Sequence, residues 1–299
     1  MNKYTIHPEV LDELRNQRPV VALESTIITH GMPYPHNLDI AKAVEDEVRV
    51  HGATPATIAV LDGNLHIGLT PQQLKKLAVT EAAMKLSRAD IAIAMAKGET
   101  GGTTVAGTMI AAALVGISVF ATGGIGGVHR GAELSFDVSA DLNELAQTPI
   151  TVVAAGAKAI LDLPKTLEVL ETLGVPVIAY GQDELPAFWS RSSGLKAPLR
   201  LDSAKEIALA HKTRTALGLS GGQLVANPIP IEHQITRNEL EPLIDAAIKR
   251  AKVQGINKKD VTPFLLKTVL ELSKGKSLSA NKALILNNAR LASKISQFL

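Results

Sequence analysis

Short apolar runs rich in valine and isoleucine recur along the chain, and they limit its fold more than any other feature. They are VVALE ending at Glu24, ATIAVLD ending at Asp62, DIAIAMA from Asp90, ISVFATG from Ile117, ITVVAAG from Ile150, VPVIAYG from Val175 and LVANPIP from Leu224. Runs of this length without polar alternation predict strands buried on both faces. Amphipathic segments lie between them. Ile40, Val44 and Val48 share one helix face after Pro33 and Pro35, and Ser203 with Glu206 forms a capping box ahead of IALAHKTRTAL. Thr262 and Pro263 predict a cap and a first-turn proline for the helix after them. Alternating β and α elements imply an α/β fold, three layers in α/β/α order around a mainly parallel or mixed sheet. No Pro/Gly/Ser-rich linker or internal repeat divides the chain, so one domain over residues 1–299 is expected.

Composition narrows the function. Lys plus Arg number 31 against 29 Asp plus Glu, and aromatics make up 3% of the 299 residues. A balanced charge and few stacking rings argue against nucleic acid as partner. The absence of cysteine removes disulfides, thiolate chemistry and the usual structural-zinc ligands, and fits a reducing cytoplasm. The N-terminal segment mixes charges and has no apolar core before a cleavage site, so it is expected to be mature protein. From Gly101 to Val128 no residue is charged, a length that could cross a bilayer. Its glycines and threonines favour a buried helix over about Thr103 to Leu114, a stop at Gly116 and a strand from Ile117 to Ala121. No membrane partner is expected.

In open α/β sheets ligands collect at the carboxyl ends of the strands. Polar residues stand at those ends: Glu24 and Ser25, Lys97, Thr122, Lys158 and Asn227. Glu24, in ALESTIITHGMP with His30 nearby, is placed to act as a general acid or base, or to cap local amides. In MAKGETGGTTVAGTM, Thr103 and Thr104 open a helix whose amides favour a phosphate, although the spacing is not a Walker loop. A plain turn would look the same. TGGIGGVHRGAE fails the dinucleotide fingerprint, because His129 stands where the third glycine should; His129 and Arg130 on this loop remain candidates to hold an anion. In FDVSADL, Asp137 and Asp141 flank Ser139 and suit a hard divalent cation, while Ser139 or Asp141 could equally cap the next helix. Lys158 follows an apolar strand, where loss of water favours the neutral, nucleophilic amine. In SLSANKALILNNARLASKI, Leu284, Leu291 and Ile295 form a helical stripe, and Asn281 and Asn288 beside it need partners in the core or on a ligand. Trp189 reads as a packing residue.

Taken together, VALESTIITHGMPYP, GTTVAGTMIAAALVGISVFATGGIGGVHRGAE, FDVSADL, AGAKAILDL, LPAFWSRSSG, VANPIP and the NNARLAS segment resemble the pseudouridine-5′-phosphate glycosidase family, also called the indigoidine synthase A-like family, over nearly the whole chain. The resemblance implies reversible cleavage of pseudouridine 5′-phosphate to uracil and ribose 5-phosphate in pseudouridine breakdown. It implies Lys158 as nucleophile, Glu24 as proton donor and Asp137 as contact to a divalent metal, usually Mn2+. It also implies substrate contacts from Lys85, Thr104, Val105, His129, Ser139, Ala140, Asp141 and Asn281, and a homotrimer. A ribokinase-like sugar or nucleoside kinase is the alternative enzyme, and a sugar-phosphate sensor the non-catalytic one. Both leave Lys158 without a catalytic role.

Overall fold

A computed structural model of the chain describes residues 4–256 and 261–299. Its strands are β1 (Tyr4–Ile6), β2 (Val20–Leu23), β3 (Thr54–Leu61), β4 (Asn64–Ile67), β5 (Met84–Leu86), β6 (Gly101–Thr103), β7 (Val119–Ala121), β8 (Thr151–Ala154), β9 (Val177–Tyr180), β10 (Leu199–Leu201) and β11 (Gln223–Ala226). They form one mixed sheet in the order β1-β4-β3-β2-β7-β8-β11-β9-β10, with β6 pairing β3 and β5 pairing β6. From β3 to β10 along that path every pairing is parallel. The carboxyl half of β3 departs from this pattern and pairs antiparallel with β4 and β6.

β2, β3, β7, β8 and β11 are completely buried, because helices cover both faces. One face carries Lys276–Ser296, which packs on β2, β7 and β8 and on the helices His36–Val50 and Ala204–Ala216. The other carries Val105–Ala113 against β2, β3 and β7, with Ala140–Gln147 beside it. Val105–Ala113 is apolar almost all round and accordingly buried on most sides, as a helix inside the core must be. Among the described residues, no helix is long and apolar enough to cross a membrane.

The predicted capping box of Ser203 and Glu206 forms, and Ile40, Val44 and Val48 are buried. DIAIAMA, however, is the helix Ile91–Lys97 and not a strand. Only Ile91 and Ala94 of this segment are buried, a spacing of three that gives a short alanine-rich helix one inner stripe. Gly98 ends it in the left-handed conformation at φ 72°, which glycine adopts without steric cost. Lys97 therefore sits in the last turn of a helix, away from the strand ends. Thr262 lies within the helix Val261–Leu272 and does not cap it.

Connections set the position of the site. From β2 the chain crosses to β3 on one side, and from β7 it crosses to β8 on the other, while β2 and β7 are neighbours. That boundary is the topological switch point, where adjacent connections diverge and open a crevice beyond the carboxyl ends of the strands. Leu23 stands opposite Ala121 in the register, so the next residues, Glu24 and Thr122, face each other at the mouth of the crevice.

Candidate active site

A cavity of about 670 Å³ opens at this switch point, within the size range of small-molecule sites. Glu24, Lys85, Thr104, Val105, His129, Asp137, Ser139, Ala140, Asp141 and Lys158 all line it, although in sequence they span more than a hundred residues. Each comes from a different local device. Glu24 follows β2, Lys85 lies on β5, and Thr104 caps the helix Val105–Ala113 by accepting from the Gly107 amide at 3.3 Å. Ser139 caps Ala140–Gln147 by accepting from the Asp141 amide at 3.2 Å. The amino ends of both helices thus point into one space, a place suited to an anion.

Lys158 sits in the loop between β8 and the helix Leu163–Thr172, whose cap is Asp162. Its amide donates to the Ile125 carbonyl at 3.1 Å, which ties the lysine loop to the glycine-rich loop. His129 lies in the same wall, with Nδ1 4.0 Å from the Asp137 carboxylate. Burial pushes the His129 imidazole below its ordinary range; Asp137 opposes this, and the Lys158 and Lys85 ammoniums add to the depression. His30, half-buried, is likewise lowered by burial and then by Lys85. Both imidazoles are thus biased toward their neutral form.

Asp141 is only 5% exposed. One oxygen accepts from the Ala106 amide at 3.0 Å and the other from the Gly126 amide at 2.8 Å. It joins a helix start to the glycine-rich loop, so its first duty is to hold the wall in shape. The glycines are used differently from an open phosphate cradle. A Cβ on Gly126 would lie 2.2 Å from Ser139 Oγ, one on Gly124 2.6 Å from the Phe188 ring and one on Gly127 2.5 Å from Thr166 Oγ1. The space they leave is filled by the protein's own side chains. In the same way Gly101 and Gly102 belong to β6 and are not a flexible loop, and a Cβ on Gly102 would meet Thr29 and Ser25.

Asn281 does not line this cavity; its side-chain oxygen accepts from the Trp189 indole at 2.6 Å. Trp189 is fully buried, in keeping with a packing role. Arg130, at the rim, donates to Asp245 at 3.0 Å. Sequence reasoning missed the opposite wall, where Ile248, Ala251, Ile256 and Leu265 supply an apolar surface. An apolar residue on an amphipathic helix carries no local mark of whether it faces a core or a ligand. Among the described residues no group of three or more His, Asp or Glu could hold a metal. Asp137 offers one carboxylate, a donor set that fits a largely hydrated divalent ion and not an enclosed cage.

A mixed α/β sheet with carboxylate, lysine and two helix amino ends at its switch point defines a class of proteins built to bind and act on a small anionic molecule. The comparisons then identify the family. Residues 9–298 match the family model described as indigoidine synthase A like protein, and the chain belongs to that family. It is 65% identical over 292 residues to a pseudouridine-5′-phosphate glycosidase of Paracoccus denitrificans, covering 97% of this chain and 96% of the relative. Identity is 64% over 295 residues to a protein of the same name from Jannaschia sp., covering 99% and 98%. The crystal structure of the prealnumycin C-glycosynthase AlnA in complex with ribulose 5-phosphate superposes with a TM-score of 0.92 at 38% identity, covering 100% of this chain and 97% of that one. None of these relatives supports the kinase alternative.

Proposed function

We propose that this protein cleaves the carbon–carbon glycosidic bond of pseudouridine 5′-phosphate reversibly, giving uracil and ribose 5-phosphate. The observation that carries the reading is the meeting of Lys158 and Glu24 in one cavity, in a chain 65% identical to a protein named for that activity. A neighbour in complex with a sugar phosphate is consistent with the same substrate class.

An ordinary glycosidase protonates a departing heteroatom with one of two carboxyl groups. A C-nucleoside has no such atom, and a lysine supplies another route. The Lys158 amine forms a bond to C1 of the ribose as the ring C1–O bond breaks, and the proton that the nitrogen gives up passes to the ring oxygen, leaving a neutral secondary amine with its lone pair. Glu24 then delivers a proton to the uracil carbon. The nitrogen lone pair forms a C=N bond as the carbon–carbon bond breaks, and its electrons return to the uracil ring. Water hydrolyses the imine, releasing ribose 5-phosphate and the free lysine. His129, Lys85 and the helix starts at Thr104–Val105 and Ser139–Asp141 hold the phosphate end, contributing orientation remote from the reacting carbon. A divalent cation, Mn2+ by family resemblance, would be held by Asp137 and would order water and substrate oxygens. The apolar wall of Ile248, Ala251, Ile256 and Leu265 faces the base. A homotrimer belongs to the same reading.

The test is to incubate the protein with pseudouridine 5′-phosphate, follow uracil by chromatography and add borohydride with ribose 5-phosphate. Uracil release together with a reduced ribose phosphate adduct on Lys158, seen by mass spectrometry, is expected. Turnover with Lys158 unmodified, or in a Lys158→Ala variant at an undiminished rate, would overturn the imine route.

A further inference from the structure

Glu24 is held by two hydroxyl groups of different status. Thr26 donates to Oε2 and Thr122 donates to Oε1. Thr26 lines the cavity beside Glu24, whereas Thr122 is absent from the wall and is 0% exposed. One carboxylate oxygen is therefore anchored toward the protein interior and the other lies on the side open to ligand.

Thr122 is itself immobilised. Its amide donates to the Val153 carbonyl at 3.0 Å, as the first residue beyond β7. Its carbonyl accepts from Asn288 Nδ2 at 2.8 Å, and Asn288 Oδ1 accepts from Asn227 at 3.1 Å. Asn288 is 0% exposed, on the helix Lys276–Ser296 that packs on β2, β7 and β8. Its amide edge is spent on the protein and not on a ligand. A β-branched side chain has few χ1 choices, so a fixed Thr122 backbone leaves the hydroxyl little freedom other than its bond to Glu24.

We infer that Thr122 is the positioning residue of the proton donor: held by Asn288, it fixes the plane of the Glu24 carboxyl so that the Oε2 edge, beside Thr26, delivers the proton to the departing base. Fixing one oxygen from behind costs the substrate nothing in contacts, because Thr122 does not reach the cavity. It removes rotation about the last torsion of Glu24, which is otherwise broad. A proton transfer between carbon and oxygen is sensitive to that angle, and misplacement by about 1 Å costs on the order of 10²-fold.

The inference rests on Glu24 as proton donor, and the experiment separates the two. Steady-state uracil release is measured for Thr122→Val, Thr122→Ser and Glu24→Gln, with Thr122→Ala standing in if the valine variant does not fold. Infrared carboxylate spectra are compared with and without the Thr122 hydroxyl, in the Glu24 and Glu24→Gln backgrounds. Expected are a fall in kcat of about 10- to 100-fold for Thr122→Val with KM nearly unchanged, recovery to within about threefold in Thr122→Ser, and a carboxylate difference band that vanishes in the Glu24→Gln background. Wild-type kcat in Thr122→Val, a loss appearing in KM, no recovery by serine, or a band that survives Glu24→Gln would each overturn it. Undiminished turnover in Glu24→Gln would instead remove the proton-donor reading, whatever the spectra show.

Discussion

Asp141 and Gly126 are joined by a hydrogen bond of 2.8 Å from the glycine amide to the carboxylate, and through it the glycine-rich loop is fastened to the start of the helix Ala140–Gln147. The same carboxylate takes the Ala106 amide, so three wall segments share one buried group. A side chain on residue 126 would collide with the Ser139 hydroxyl and approach the Asp141 carboxylate to 2.9 Å.

Gly126→Ala is therefore expected to push Ser139 and Asp141 apart and to lower stability and turnover together. Asp141→Ala leaves two amides without their partner, at a cost of about 1–3 kcal/mol for each that stays dry. Thermal unfolding checks both, with a lower midpoint expected in each variant. An unchanged midpoint in Asp141→Ala would mean that water replaces the carboxylate.

Asp137 lines the cavity with about a third of its side chain exposed. Removing divalent ions with a chelator is expected to reduce uracil release, and adding Mn2+ to restore it. In Asp137→Asn the Mn2+ concentration giving half-maximal activity should rise by about 10-fold or more, because a carboxylate is the protein's single anionic contribution. An unchanged Mn2+ requirement in that variant would place the ion elsewhere.

Burial lowers His211, followed by the repulsion of Arg214 and Lys212, and the imidazole shares a 3.0 Å hydrogen bond with Thr151. A histidine with a depressed folded value stays neutral in the native state while the unfolded chain takes up a proton. Stability from this source is complete above the unfolded value of about 6.5 and is lost as pH falls from there toward the folded value. The thermal midpoint is expected to drop as pH falls from about 6.5 to 5, and to drop less in His211→Asn. Identical pH slopes in the two proteins would exclude His211 as a contributor; His30, His66 and His129, also lowered by burial, account for the remaining slope.

Much of the site was legible before the fold, because the residues concerned stand where strands end. Glu24, Thr122 and Lys158 follow runs whose apolar character already predicts burial, and Thr104 and Ser139 are capping residues recognisable from their own neighbourhoods. Asn281 is the informative case. Its place beside an apolar helical stripe pointed equally to a core partner and to a ligand, and the Trp189 indole, 92 positions away in sequence, is the partner it finds. The strand reading of DIAIAMA failed. Seven apolar and acidic residues satisfy a strand pattern and a one-stripe helix alike, and only the neighbours that bury Ile91 and Ala94 choose between them.

What the sequence by itself determined was the alternation of elements, the helix starts and the polar residues at strand ends, all consequences of local sterics, capping and hydrophobic period. The tertiary structure alone decided that β2 lies beside β7, and hence that Glu24 meets Thr122, that the lysine loop meets the glycine loop, and that the glycines make room for Ser139, Phe188 and Thr166. Those outcomes depend on strand order and on close approach between segments far apart in the chain. Such relationships are set by packing the whole sheet between its helices, and no local pattern encodes them.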